Sequence, residues 1–569
     1  MKNKLNFGLI GLLLALLPIA LLACSSSGGG TPATTTTVST STTSTSTTTT
    51  SSTTTTLHSG VTILSRDPGT FAERIICSTP ITVVFSGDLD SSSVNTSTFL
   101  LNISGGSAVT GSVSYANRVA TFEPTSILTY NATYEISLQG IKDAEGISLE
   151  STSWNFTTGR VLRSFYKGEG HYYHNPPTLY NNYLYVGTDN TLVNTHNCFF
   201  FKLDTNLTKI WEYSLGTNPV AGAGVVDVNN NVYFIYNKAN EFGGSTAYLC
   251  TLDQNGTFRW EKELGTPTGF GMMTPALSAD KSVIYAGAWG RGNYLYAFSC
   301  DSADGTPLWT YAQGGMVPVI DNNGRIYVTA KNADDYEVVH CVSSSGSSEW
   351  ISDQLSFEVT YSGPELVNSP VFSKDWLHLY VTDGPTLNCI NTTTGTLEWS
   401  FAIDLIAGDD IRIRCSPAVD EEGNIFFGTK STSNTTGSMY ALNADGTLKW
   451  HNTTNTHDHY SSPAIGNDGV LYQGTEGMIF EAIHKDDGTN HWSTSTPSGM
   501  GGDITWSSPA IDSDGIAYVG NIWGTNPSGE AAYGGYLFAI QTDCTGLKIN
   551  CGSPKYHGGN ANTGRRYDE

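Results

Sequence analysis

The chain has 569 residues, of which 14% are charged, 11% are aromatic and 61 are glycine, and its formal net charge is −24. So acidic a chain repels a phosphate backbone, which excludes nucleic acid as a partner, and its length calls for more than one domain. A composition rich in Gly and Tyr and poor in Lys favours strands joined by many turns.

Lys2 and Lys4 precede an apolar run over residues 7–23 that is short for a membrane span and ends at a small residue, the pattern of a signal peptide. Leu21-Leu22-Ala23-Cys24 closes that run and resembles the lipobox of bacterial lipoproteins. The resemblance implies that residues 1–23 are removed and that Cys24 is acylated, so the chain meets the membrane through its N-terminal lipid. Ser25 after the cysteine points, for a Gram-negative host, to an outer-membrane lipoprotein at the cell surface or on the periplasmic face. Residues 24–58 follow as a stalk, almost wholly Thr and Ser from 31 to 57. Having no apolar face to bury, the stalk is expected to stay extended or disordered and act as a spacer.

Residues 59–160 read as an all-β unit. ITVVF (81–85), TYEISLQG (133–140) and SWNFTT (153–158) read as half-buried strands, and GSVSYANRVATFEP (111–124) as a hairpin turning at Asn117. Turn signals about every ten residues suggest a sandwich. The succession ITVVFSGDLDSSSVNTSTFLL, ATFEP, LTYNATYEISLQGIKDAEG and WNFTT resembles the bacterial Ig-like domain, which implies a spacer or adhesion module.

From residue 161 onward one pattern recurs: SP-A-[IVL], an Asp/Asn-Gly turn, [IV]-x-[YF]-x-G, then GT-[LFP]-x-W. Its opening half appears eight times, near Pro176, Gly224, Thr274, Val317, Ser369, Ser416, Ser462 and Ser508. The tryptophan appears seven times, as Trp211, Trp260, Trp309, Trp350, Trp399, Trp450 and Trp492, spaced 41 to 51 positions apart. Each repeat supplies four short strands, too thin a sheet to bury both faces alone. Radial packing buries them, and the indole has a broad face to set against the next sheet. The expected fold is all-β: an eight-bladed β-propeller over residues 161–569 preceded by the Ig-like β-sandwich. The eighth blade has two candidate outer strands: TGLKIN, with Ile549 in the Trp slot, and RVLRSF (160–165), with Phe165 there.

The repeat resembles the propellers of pyrroloquinoline quinone enzymes and the wider quinoprotein-like family, and SPKYHGGNANTGR (553–565) resembles a terminal segment common in it. An active quinoprotein is disfavoured: the chain lacks the adjacent cysteine pair, the aligned Glu, Asn and Asp calcium set and the long insertions of those enzymes. Lipobox and blade count also resemble the eight-bladed lipoprotein of the outer-membrane barrel-assembly machine, from which the stalk and Ig-like domain depart.

Segments just before each SP-like motif open near the central channel. They nominate Tyr173, His174, Met273, Arg412, Arg414, His459, Tyr460, Asp503 and Trp506 as a channel-mouth binding face. His174 and His459 with an Asp would suit zinc or copper, but a polar, aromatic protein-binding rim is preferred and no metal site is assigned. DNNG (321–324), DEEG (420–423) and DSDG (512–515) faintly resemble Ca2+ loops, yet a hairpin needs Asp, Asn and Gly there anyway. Cys544 and Cys551 flank a short turn and could form a disulfide, while Cys250, Cys341 and Cys389 read as small buried hydrophobes. The sequence thus favours a non-catalytic binding or scaffolding lipoprotein without cofactor, partnered by an envelope protein or glycan. The alternatives are an outer-membrane assembly scaffold and a divergent quinone- or metal-dependent enzyme.

Overall fold

A computed structural model describes residues 60–565, apart from 169–170, 190–195, 241–243, 268–271, 289–291, 333–335, 356–368, 404–410, 432–436, 453–458, 498–499, 501–503, 505–506, 522–523, 526–530 and 533. Cys24, the stalk, Asp503 and Trp506 lie outside the described residues. Among the described residues no helix is long and apolar enough to cross a membrane.

Two four-stranded sheets form the N-terminal sandwich. Alternation along Ile81–Phe85, Phe99–Ile103, Thr133–Leu138 and Thr152–Thr158 turns Ile81, Val83, Phe85, Phe99, Ile136, Trp154 and Phe156 inward. The predicted hairpin joins Gly111–Ala116 to Val119–Pro124. Both of its turn residues, Asn117 and Arg118, take positive φ (51° and 65°), as a two-residue turn between twisted strands requires.

Eight further sheets of four main strands follow; in blade six Ile411–Ile413 adds a fifth by pairing with Ile425–Ser431. The innermost strands begin at Thr178, Val225, Ala276, Val319, Val371, Ala418, Ala464 and Ala510, just after the eight motif starts. The ring closes through Val161–Tyr166, which pairs with Tyr536–Gln541 as the outer strand of blade eight. Blade eight in turn touches blade one, where the Tyr518 hydroxyl oxygen lies 3.2 Å from the Thr205 carbonyl. This rules out an open solenoid.

The repeat motif now has a physical meaning. In blades one to seven the second-strand aromatic, a third-strand residue and the outer-strand Trp lie side by side, as in Tyr380, Cys389 and Trp399. The aromatic and the indole pack at 5.6–6.4 Å between centroids. Beyond its own blade, each of the first six indoles meets a glycine of the following blade: Gly256, Gly305, Gly346, Gly395, Gly446 and Gly488. A Cβ there would come within 2.6–2.7 Å of the ring, and φ of 71–86° also suits glycine alone. Indole N–H groups of Trp211, Trp260, Trp309, Trp350 and Trp450 donate across the seam to backbone carbonyls at 2.9–3.1 Å. None of the seven indoles is exposed.

The SP serines form a second seam, nearer the axis. The backbone N–H of Ser369 donates to the Ser416 hydroxyl, that of Ser416 to Ser462 and that of Ser462 to Ser508, at 2.6–3.0 Å. Each buried hydroxyl thus satisfies a backbone donor of the blade before it.

Blade eight departs from both sequence alternatives. RVLRSF closes the ring, but Ala539 pairs with Arg163 and a bulge precedes Ile540, so Arg163 occupies the slot the other blades give to Trp. Phe165 instead packs edge-on against Tyr173 and Phe201. Ile549 is 47% exposed and fills no slot. The disulfide is corrected as well: Cys544 and Cys551 are separate buried thiols. The Cys544 thiol lies 3.0 Å from the Thr542 hydroxyl inside the blade seven–eight core, whereas that of Cys551 turns to the Lys548 carbonyl.

Candidate functional site

The second strands of blades one, three, seven and eight end in glycine and that of blade six carries Gly428, and at several of these glycines the connector entering the next blade lies against the strand. A Cβ on Gly187, Gly428, Gly474 or Gly520 would come within 2.2–2.4 Å of Val220, His459, Ile504 or Tyr173. Those connector residues dock by donating their N–H to the carbonyl just beyond the glycine, at 3.1–3.2 Å. Tyr173 and His459 are therefore wedges between blades, and Met273 docks likewise by donating its N–H to the Ala221 carbonyl at 2.7 Å; each is 0% exposed and none is a group open at the mouth. The sequence signal was ambiguous, since the same position holds Val, Ile, Tyr or His.

His459 belongs to a buried polar row in blade seven that sequence reading missed. Gln473 stands 2.9 Å from the His459 ring and donates to Glu481 at 3.0 Å; the His459 ring is 3.6 Å from Glu481. Burial raises the Glu481 carboxyl to about 7, opposed by the Gln473 hydrogen bond. The clue was Gln and Glu at cross-strand positions inside two otherwise apolar strands, VLYQG and IFEAIH.

Blades six and seven carry another part of the nominated face, in which Arg414 is buried at 5% exposure. Tyr460 is half-buried, with the Arg414 guanidinium 5.7 Å and the Lys430 ammonium 4.9 Å from its ring. Lys430 also pairs with Glu476 at 2.6 Å. Arg412, also half-buried, is on the added strand paired with Lys430. His174, elsewhere on the ring, is held by Asp189 and stacks on Tyr172 at 6.0 Å. His174 and His459 thus keep separate carboxylates, and among the described residues they share no metal-binding group.

The Asp-Gly turns act as braces. In each, one carboxylate oxygen of Asp321, Asp420 or Asp512 accepts two backbone N–H bonds at 2.8–3.0 Å. The other oxygen accepts from Arg325 and Tyr327, from Asn424 and Lys485, or from Tyr518. Glu421 and Glu422 gather beside Asp420, and the Lys485 ammonium already bonds Asp420 and Glu422 at 3.1 and 2.9 Å.

At the axis lies the tail over residues 552–565. The innermost strand of a blade has an unpaired edge, and the tail supplies its partners. Leu179, Leu277, Ile320, Val419 and Ile465 donate their N–H to tail carbonyls at 2.7–3.0 Å. Phe372 donates to the Ser553 hydroxyl at 3.3 Å and Ile511 to the Asn560 amide oxygen at 2.9 Å. These residues hold the same position in seven of the eight inner strands, all but blade two.

Two ionisable groups are buried with the tail. Lys555 is fully enclosed and donates to Asn562 at 3.0 Å; burial pulls its pKa down to about 7. The His557 ring lies between the Asn562 and Pro318 carbonyls, at 2.5 and 2.9 Å. Burial draws its pKa down to about 4, against the two carbonyls that favour the imidazolium.

Comparison with known proteins adds the following. The model described as "Outer membrane protein assembly factor BamB" matches residues 152–352 and 356–524, almost two thirds of the chain, and the "Bacterial Ig-like domain" model matches residues 32–158. Similar solved structures include BamB from Moraxella catarrhalis, at 14% identity and a TM-score of 0.45 over 67% of this chain and 99% of that one. A quinohemoprotein alcohol dehydrogenase from Comamonas testosteroni is 12% identical, with a TM-score of 0.48, over 68% of this chain and 78% of that one. Sqt1 from Chaetomium thermophilum, solved with the N-terminus of ribosomal protein L10, is 12% identical with a TM-score of 0.43 over 67% and 100%. At such identities and scores none of the three bears on what this chain does. No curated protein matches. With its eight sheets and a family match across most of their length, the chain belongs to the propeller family described as outer membrane protein assembly factor BamB.

Proposed function

We propose that this chain is a non-catalytic scaffold of the bacterial envelope, anchored in the outer membrane through acylated Cys24 and docking a protein partner during outer-membrane protein assembly. The observation that carries this reading is the tail. Residues 552–565 fill the inner edges of seven blades, so the axial region serves as structure and the outer surfaces remain for recognition. Membership of the family supports the assembly context. The docking face is the cation–aromatic cluster of Arg412, Arg414, Lys430 and Tyr460 on blades six and seven, an aromatic anchor flanked by the Arg414 guanidinium and the Lys430 ammonium, with aromatic and Arg side chains of the kind that dominate protein interfaces. The Ser/Thr stalk and the sandwich set how far that face stands from the membrane.

The test is a photo-crosslinking residue in place of Tyr460 in the full chain, expressed in its host. Adducts with a component of the outer-membrane assembly machinery, and depletion of folded outer-membrane barrels when the gene is removed, are expected. Unchanged barrel levels with no adduct would overturn the proposal. So would dye-linked alcohol oxidation by the chain after reconstitution with quinone and calcium.

A further inference from the structure

The row formed by the second-strand aromatic, the third-strand residue and the Trp has two flanking positions in each of blades one to seven: the residue two before the aromatic, and the residue just before the Trp. Strand alternation puts the first on the same face as the Trp, and the register bulge at the outer strand re-aims the second. In blade one this set is Tyr183, Lys202 and Ile210; in blade two Asn231, Thr251 and Arg259; in blade seven Val470, Ala482 and His491. Blade four has Arg325, Cys341 and Glu349, with the guanidinium drawn 2.7 Å from Asp321. Blade five has His378, Cys389 and Glu398, three metal-ligating side chains.

Their geometry converges. His378 Nε2 is 3.1 Å from Glu398 Oε2, and the three ligand atoms all lie within 4.8 Å of one another. The Cys389 thiol forms a buried floor, and His378 and Glu398, with side chains 30% and 34% exposed, form an accessible rim. Asn391 donates to Glu398 Oε1 at 2.8 Å, which leaves Oε2 toward the imidazole. Asp375 stands 3.8 Å from His378 Nδ1, behind the ring, where an outer carboxylate orients a metal-bound histidine.

The geometry points to a divalent-cation site on blade five, in which His378 Nε2, Cys389 Sγ and Glu398 Oε2 hold Zn2+ and water takes the fourth position. Imidazole, thiolate and carboxylate are the donors zinc prefers, and three protein ligands leave its tetrahedron open at one corner. Binding replaces the Cys389 S–H bond with an S–Zn bond and releases the proton to solvent. Without metal, burial chiefly, with Glu398 and Asp375 adding to it, pushes this thiol up to about 12. Bound zinc ties together the second, third and outer strands of the blade.

Titration of the full chain with Co2+, an optical stand-in for Zn2+, tests this. One equivalent is expected to give a near-ultraviolet thiolate-to-cobalt charge-transfer band that Zn2+ bleaches. Cys389→Ser abolishes the band, His378→Gln weakens binding at least about tenfold, and His491→Gln changes neither. His378 is half-exposed, so its variant keeps the test sound even if Cys389→Ser fails to fold. Cobalt spectra without the thiolate band, or a band whose affinity survives His378→Gln, would overturn the assignment.

Discussion

Blade seven and blade eight meet differently from every earlier pair. Between blades one and seven, an indole lies on a glycine in the turn joining the third and outer strands of the next blade. Blade eight has no such turn, because its outer strand Val161–Tyr166 arrives from the sandwich, far away in sequence. Trp492 therefore finds no glycine. Its N–H goes to the Asp543 carboxylate at 2.5 Å, and the Arg160 guanidinium covers it at 4.0 Å from the ring centroid. Arg160 also pairs with Asp543 at 2.9 Å, which holds that carboxylate below its usual range. Arg160 sits in the two-residue step between the last sandwich strand and blade eight, so sandwich and propeller share this seam. A seam made from one hairpin repeats with the sequence; a seam made from two distant segments must be improvised from charge.

The largest effect is expected from ending the chain at Cys551. This strips partners from seven inner-strand N–H groups, at about 1 kcal/mol each, so urea unfolding should show a loss of about 5 kcal/mol or more or a loss of cooperativity. Next comes Trp260→Ala, the most buried of the seven indoles at 4% exposure. A cost of about 3–5 kcal/mol is expected from the shift in denaturation midpoint. Lys555→Met sharpens the role of the tail. Because the folded pKa of Lys555 is depressed to about 7, the unfolded chain binds the extra proton between pH 7 and about 10, and wild-type stability rises with pH there. The slope, at most about 1.4 kcal/mol per pH unit, should vanish in the variant; an unchanged slope would mean that Lys555 reaches solvent. Arg163→Ala should be the mildest, under about 1 kcal/mol in the same unfolding assay. If it matched Trp260→Ala, blade eight would use its slot as the others do.

Much of this fold was legible because period-two alternation, Asp-Gly turns and a Trp every forty to fifty residues are local signals repeated eight- and sevenfold. The nominated site was less so. Tyr173 and His459 sit in polar or mixed connectors, yet the glycine each one faces belongs to another strand and draws it inward, and Met273 is held against the connector at Ala221 and Gly222. Arg163 takes the slot because it is the residue paired with Ala539, whereas Phe165, two positions along the same strand, pairs with Leu537. His378, Cys389 and Glu398 are ordinary residues on three strands until those strands pair.

Residues close in the chain fixed the blade count, the strand order of blades one to seven and the indole of seven seams, and so these could be read without the fold. Tertiary structure alone decided which segment completes blade eight, that the terminal tail lines the axis, and which polar groups converge on blade five. Those outcomes join segments tens to hundreds of positions apart, and their hydrogen bonds and close packing exist only once the ring has closed.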